Sequence, residues 1–392
     1  MNDYTQEIKT KKFRVPGSPE WRDLIPEVEN NRESAEKVQQ ANDDLKNMLL
    51  ASLQMQHIVV LAGSGCSRSA GGPSMMDLWN GAVGERPSEI ANRIARLVNH
   101  NLEDKNIEAF LSRIEAYLQV SQDKEVKGFL SSSKKVILDQ CSDFLNSERL
   151  DDHETFLHRL SRRRIRDQRL QLFTTNYDIC FERAAAAISG VALDGFSFTF
   201  PRRYDPRFFD YDIIRRPRSG DDAGQYLEGV FLLYKLHGSI NWERSADDVI
   251  YERNNPDPEK ACLIYPAQGK FQQSFFQPHL ESMARYFAAV REPNTCILTV
   301  GFGFNDDHLT EPLLAAICSN PHLRLIVVDY EADLKLKNGN RHWKRLSEFG
   351  INNEDVWFIN SSFGDFANII PDLKSLTPAD TLMKAIRSVA RD

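Results

Sequence analysis

The sequence predicts an α/β fold, a Rossmann-like doubly wound parallel sheet with a helical subdomain inserted into it. Three observations carry that expectation. The apolar runs at residues 58–61, 170–174, 230–236, 296–300, 323–328 and 356–359 barely alternate with polar residues, as strands buried on both faces require. Helix-patterned segments separate them, which supplies the crossovers that parallel strands need. Polar or glycine-rich turns follow several of these runs at their carboxyl ends, where ligands bind in such sheets.

The chain has 392 residues, enough for a large core or two domains. Its formal charge of −7 argues against nucleic-acid binding by the whole surface and leaves a local basic patch open. No apolar run approaches the roughly 18 residues of a membrane span. The polar N-terminus, residues 1–12, lacks the apolar segment of a secretory signal, so a cytoplasmic protein without a membrane partner is expected. Cys66, Cys141, Cys180, Cys262, Cys296 and Cys318 form no C-x-x-C pair. Neither a structural zinc nor a disulfide framework is expected, and most of them read as small buried hydrophobes.

Taken in order, residues 1–28 carry Pro16, Pro19 and Pro26 and no clean period. They read as an arm, packed on a neighbouring subunit or frayed. Residues 30–55 place Leu45, Met48, Leu49 and Leu53 at helical spacing, and arm and helix together form a first unit, residues 1–55. The run at 58–61 is the first strand, followed by a glycine loop and a helix from Met75. Residues 87–166 carry amphipathic segments such as 107–120 and 136–145 with almost no strand signal, and form the inserted helical subdomain. The sheet domain is then residues 56–86 and 167–376. Within it, 170–174 is a strand and alanine-rich 181–188 the next helix. Residues 196–229 are too long and irregular for an ordinary connection and read as a lid or interaction segment. Strand 230–236 precedes a polar loop at 245–260, a short strand at 263–265 and a helix at 279–291. Thr377, Pro378 and Asp380 supply N-cap, N1 proline and acidic N3 for a C-terminal helix, residues 377–392.

Five turns carry candidate chemistry. In Leu61-Ala62-Gly63-Ser64-Gly65-Cys66-Ser67 the glycines let backbone N–H groups approach a phosphate. Arg68 breaks the G-x-G-x-x-G pattern and there is no P-loop lysine, so a tight strand-to-helix turn explains this loop equally well. In Thr174-Thr175-Asn176-Tyr177-Asp178 the amide suits a ribose hydroxyl or a water, and the carboxylate suits a carboxamide. Taken alone, turn capping is the commoner job of both. In Tyr234-Lys235-Leu236-His237-Gly238-Ser239 a histidine ends an apolar strand, poised as a base or held structurally. Gly301 and Gly303, in Thr299-Val300-Gly301-Phe302-Gly303-Phe304-Asn305-Asp306-Asp307, suit close approach to a ribose or adenine, or a plain turn. Asp329, ending the strand before Tyr330, suits a ribose or caps the next turn.

In this order the stretches resemble the sirtuin family: a G-[AS]-G-x-S loop, a T-x-N-x-D turn, a strand ending in His-Gly, then a G-x-G loop. The resemblance covers residues 58–67 and 172–329 and the last strands. It implies an NAD site in which Gly63, Gly65 and Ser67, with Ser64 in the same loop, hold phosphate. Asn176 then addresses the nicotinamide ribose and water, Asp178 the carboxamide, and His237 is the catalytic histidine. Gly301 and Gly303 lie by the adenosine ribose. Two features depart from the sirtuin deacylases. Their four-cysteine zinc module has no counterpart, and their Gly-Ile-Pro-Asp-Phe-Arg reads Gly72-Pro73-Ser74-Met75-Met76-Asp77 here. Both weigh against protein deacylation and leave the NAD site itself.

A closer resemblance is to bacterial sirtuin-like proteins of antiphage defence, in particular the subunit paired with HerA-type ATPases. It rests on residues 173–178, 233–239, Leu263-Ile264-Tyr265-Pro266, and 301–304 with His308. It implies NAD depletion and a homo-oligomeric ring assembled with a hexameric HerA-type ATPase. The activity so implied is NAD+ glycohydrolysis to nicotinamide and ADP-ribose, with NAD+ as substrate and no zinc. The C1′–nicotinamide bond breaks through an oxocarbenium-like state, and its cationic leaving group needs little acid help. Asn176 would place the water or ribose and His237 would accept a proton, directly or through a ribose hydroxyl. Two alternatives stay open. One is an NAD or ADP-ribose sensor or scaffold without turnover. The other is a nucleic-acid module resting on Arg159, Arg162, Arg163, Arg164, Arg166, Arg169 and the arginine–aromatic segment 202–218. A solvated helix face or subunit interface explains the same arginines.

Overall fold

A computed structural model describes residues 11–25, 32–146, 150–164, 167–216, 225–264, 277–352 and 354–372. Among them the strands are β1 (Lys12–Arg14), β2 (Arg22–Asp23), β3 (His57–Ala62), β4 (Leu170–Thr174), β5 (Val191–Leu193), β6 (Ile214–Arg215), β7 (Gln225–Tyr226), β8 (Val230–Lys235), β9 (Gly238–Arg244), β10 (Ile250–Glu252), β11 (Ala261–Leu263), β12 (Thr295–Val300), β13 (Leu323–Asp329) and β14 (Val356–Asn360). The helices are α1 (Arg32–Leu53), α2 (Met75–Ala82), α3 (Glu89–Leu97), α4 (Ile107–Leu118), α5 (Lys124–Asp143), α6 (Asp151–Leu160), α7 (Cys180–Ala187), α8 (His279–Ala289), α9 (Asp307–Ser319), α10 (Ala332–Asn338), α11 (Arg341–Ile351) and α12 (Phe363–Ile369).

Nine strands form one sheet in the order β2-β1-β14-β13-β12-β3-β4-β8-β5, and its six central strands, β14 to β8, run parallel. The apolar runs have no polar face because both faces are covered. Ile58, Val60, Ala62, Leu172 and Leu298 meet α1, α6, α7 and α12 on one side. Val59, Leu61, Phe173, Ile297 and Leu325 meet α8, α9 and α11 on the other. The doubly wound α/β expectation therefore describes the chain. The order turns back once. From β3 the chain adds β4 and β8 on one side, then returns to place β12, β13 and β14 on the other, so β3 and β12 flank the switch point where ligands of such sheets bind.

Between β3 and β4 the described chain is helical. α2, α3, α4 and α5 share their own apolar cluster, around Trp79, Phe110, Ile114 and Ile137, which also takes in Tyr177, Cys180 and Leu263. α6 belongs with the sheet instead, through Phe156 and Leu157. The capping box at Ser74, in which the hydroxyl accepts from Asp77 N–H and the Asp77 carboxylate accepts from Ser74 N–H, starts α2 where the sequence places it.

Three stretches differ from their sequence reading. The described part of the arm packs on its own sheet: β1 pairs antiparallel with β14, and Phe13 is fully buried. The strand ending in His237 does not stop there. The chain turns at Gly238, whose φ of +92° and whose Cβ position, 1.9 Å from the Cys262 carbonyl oxygen, admit no side chain. It then runs on as β9, which forms a small antiparallel sheet with β10 and β11, and β10 lies inside the segment read as polar loop. Within residues 196–229, Phe209 is buried and stacks on Tyr234 at 4.5 Å, so part of that segment is fixed to the sheet. The C-terminal helix expected at 377–392 lies outside the described residues, as do Tyr265 and Pro266.

The arginine cluster is largely an internal fastening. Arg163 is buried and donates to the carbonyls of Leu53 (2.6 Å), Met55 (2.6 Å) and Gln56 (3.2 Å) at and just beyond the end of α1, where carbonyls lack helical partners. Arg164 bonds Asp167 and the Gln54 carbonyl, and Arg169 bonds Asp212 and the Leu227 carbonyl. Arg159 reaches the carbonyls of Asn368 and Ile370, Arg162 pairs with Glu228, and Arg202 pairs with Asp194 and Glu252. Arg166 and Arg218 lie outside the described residues.

Candidate active site

The site is set by sheet register. Val300, Ala62, Thr174 and Lys235 form one row across β12, β3, β4 and β8. The next residues outward begin the glycine loops and the two polar turns. Asn176 and His237 each stand two residues beyond this row, past the ends of the neighbouring strands β4 and β8. Parallel pairing alone thus brings together motifs 61 positions apart in sequence.

Three predicted residues form one buried network. Asn176 Nδ2 donates to Ser67 Oγ (2.9 Å) and to the Gly63 carbonyl (3.1 Å). Ser67 Oγ donates to Asp178 Oδ2 (2.7 Å), and Asp178 Oδ1 accepts from Cys180 N–H (3.0 Å). Asn176 is 8% exposed, Asp178 7% and Ser67 3%, so the network is closed to solvent here. Each Asp178 oxygen keeps a second lone pair for one further donor, such as a carboxamide NH₂.

The glycines have an additional reason. Gly301, with φ +58°, lies so close to the first loop that its Cβ would stand 2.6 Å from Gly65 Cα, and one on Gly63 would meet the Gly301 carbonyl at 2.5 Å. The two loops at the switch point pack backbone to backbone. Their amides are largely engaged as well: Gly63 N–H donates to Val300, Gly65 to Gly301, Cys66 to Gly63 and Ser67 to Ser64. Ser64 itself is exposed. The Gly303 carbonyl accepts from Trp343 Nε1 at 3.1 Å. Asp329 accepts from Lys335 Nζ on both oxygens (2.8 and 2.7 Å) and from Glu331 N–H, so in this structure it serves an ion pair and a turn cap.

His237 is 3% exposed, and its buried Nε2 has no hydrogen-bond partner. Its ring lies 5.8 Å from that of His308. Burial and the neighbouring imidazoles of His308 and His279 hold its pKa well below the usual histidine value, so the ring is neutral. His279 is itself pushed down to about 3 by burial. Cys66, by contrast, is an inert thiol: burial and Asp178 push its pKa well up.

Several residues of the site escaped the sequence reading. Lys235 is 2% exposed, and its Nζ donates to the Asp178 carbonyl and to Glu182 Oε1 (3.1 Å), tying β8 to the Asp178 turn. A lysine inside an apolar strand was its signal. Glu108 on α4 lies within electrostatic reach of Asp306, which belongs to the second glycine turn, and nothing in the local sequence of Glu108 announced it. Among the described residues, no three His, Cys, Asp or Glu side chains converge so as to hold a metal ion. A cavity of about 740 Å³ lies elsewhere, between α5 and the β9–β10 hairpin, lined by Asp139, Arg183, Asn241 and Glu252 among others.

Residues 171–352 match the family model of the SIR2-like domain. The matched SIR2-like span starts in β4 and ends at α11. It contains Asn176, Asp178, His237, Gly301, Gly303 and Asp329, and leaves the Gly63–Ser67 loop upstream. No curated protein matches the chain. Among solved structures, similarity is found to a Sir2 homologue mutant in complex with ADP-ribose, with a TM-score of 0.42 and 13% identity over 88% of this chain and 98% of that one. A Sir2 homolog–NAD complex gives 0.43 and 13% over 88% and 94%. Among the described residues, no helix is long and apolar enough to cross a membrane.

Proposed function

We propose that this chain is an NAD+ glycohydrolase that releases nicotinamide and ADP-ribose. It would act as an NAD-depleting effector of antiphage defence, as a homo-oligomer with a HerA-type ATPase. The observation that carries the catalytic part is the placement of two groups at the ends of adjacent strands: the Ser67–Asn176–Asp178 network after β4, and a neutral, buried His237 with a free Nε2 after β8. The SIR2-like match over residues 171–352 supports NAD as the ligand. The partner and the defence role rest on the sequence resemblance alone.

In this reading NAD+ enters along the β3–β12 switch point. The loop holding Gly63, Ser64, Gly65 and Ser67 flanks the pyrophosphate. Gly301 and Gly303 flank the adenosine ribose, and Asp329 lies at the outer end of that row. Asp178 accepts the carboxamide NH₂ on a free lone pair and so orients the leaving group. Asn176 turns its amide to the ribose or the attacking water, giving up a present partner. His237 takes the proton as the oxocarbenium-like centre is captured.

The closed network and the engaged loop amides favour a second reading, a nucleotide sensor that binds without turnover. Incubating the purified chain with NAD+, alone and with its ATPase partner, and resolving products by HPLC separates the two. Nicotinamide release in step with NAD+ loss is expected. Binding without nicotinamide in either mixture refutes the hydrolase.

A further inference from the structure

Tyr177 sits between Asn176 and Asp178, yet its side chain points to the helical segment. Its Oη lies 2.6 Å from the Ile264 carbonyl and 3.3 Å from Glu108 Oε1. Its backbone carbonyl accepts from Ile240 N–H (3.0 Å) and Ser239 Oγ (3.3 Å), while Ile264 N–H donates to the His237 carbonyl (2.8 Å). Tyr177 is thus bonded at both ends to the backbone around His237, and Glu108 holds the outer end of that linkage. A phenol has one proton. Given to Ile264, the shorter contact, it leaves the Glu108 contact to be made by a carboxyl proton donated to Tyr177 Oη.

From this geometry we propose that Glu108 and Tyr177 form a positioning clamp, which sets the Asn176–Asp178 turn against His237 and holds while the Glu108 carboxyl is protonated.

The electrostatics run the same way. Burial and Asp306 hold Glu108 well above the usual carboxylate range, although a hydrogen bond from Tyr177 and the N-terminal turn of α4 both favour its anion. Asp306 is raised too, by burial and by Asp307, which is itself tied to Arg341 and His342. His308 faces His237 and Asp307. Two neighbouring half-buried carboxyls do not both ionise readily. A raised folded-state pKa means that Glu108 contributes full stability below its unfolded value and loses it as pH rises through the folded one. In the active protein the same ionisation loosens the clamp at alkaline pH.

The inference rests on the hydrolase reading for its kinetic arm only. The test uses the full chain and compares Glu108→Gln, which keeps the size and a donor, with Tyr177→Phe. Melting temperature is followed from about pH 5 to pH 9, with nicotinamide release across the same range. Wild type is expected to lose melting temperature and turnover as pH rises. Glu108→Gln should flatten both losses. Tyr177→Phe should lower kcat at every pH by about tenfold or more with KM little changed. The clamp is overturned if Glu108→Gln keeps the wild-type pH profile of melting, or if Tyr177→Phe turns over like wild type. A wild type that releases no nicotinamide refutes the hydrolase alone, and the melting profiles still decide the clamp.

Discussion

Asn176→Ala and Ser67→Ala damage the same network, and comparing them separates catalysis from architecture. Asn176→Ala removes the bonds at 2.9 and 3.1 Å and strips the Gly63 carbonyl of its side-chain donor. The Gly63 carbonyl keeps its bond from Cys66 N–H, so at about 1 kcal/mol net per bond the loss is about 2 kcal/mol. Ser67→Ala removes the 2.7 Å donor to the Asp178 carboxylate and the acceptor for Asn176, a loss of similar size because one bond is to a charge. Stability therefore falls about equally, which urea melts of both variants should show. Activity should not. If Asn176 places the water or ribose, its loss should cut kcat by about 100-fold or more, whereas Ser67→Ala should mainly raise KM and leave kcat within about tenfold. Nicotinamide release by HPLC, at pH 7 and below each variant's melt, measures both. Equal activity losses that track the loss of stability would make Asn176 an architectural residue. Near-normal turnover in both would remove it from the site altogether.

Other consequences can be checked with purified variants. Gly301→Ala should cost at least about 2 kcal/mol in urea unfolding, since an L-residue pays for φ +58° and its Cβ overlaps the first glycine loop; an unchanged midpoint would mean the loops part easily. Arg163→Met should lower stability by about 2 kcal/mol or more by stranding the carbonyls of Leu53 and Met55, while Gln56 keeps its bond from Gln168 N–H. If Arg163 instead served a nucleic-acid surface, the variant would melt normally and lose salt-sensitive DNA binding. His153 is fully buried, with both ring nitrogens unpartnered between Phe181 and Phe363, and burial lowers its pKa to about 4. The unfolded chain then binds the extra proton, so stability is full above about pH 6.5 and falls toward pH 4, by on the order of 3 kcal/mol. His153→Phe should flatten that acid limb in pH-dependent melts.

The sequence by itself determined the layering and the places where chemistry sits. Strands such as 296–300 lack alternation because both faces are covered, and that constraint is written locally in the side chains. Polar turns after apolar runs then fall at the carboxyl edge by the polarity of the chain alone. Partnership could not be read this way. That Asn176 bonds Ser67, and that its turn follows the strand next to the one ending at His237, comes from β4 lying between β3 and β8, a choice of strand order made by the whole sheet. The meaning of Gly63, Gly65 and Gly301 was only half legible, because a glycine shows that something comes close and not that the visitor is another loop. The arginines at 159–169 looked like a basic surface until α1 ended beside them with bare carbonyls. Glu108 carries no signal in its own helix; only the packing of α4 beside the Asp178 turn brings it to Tyr177.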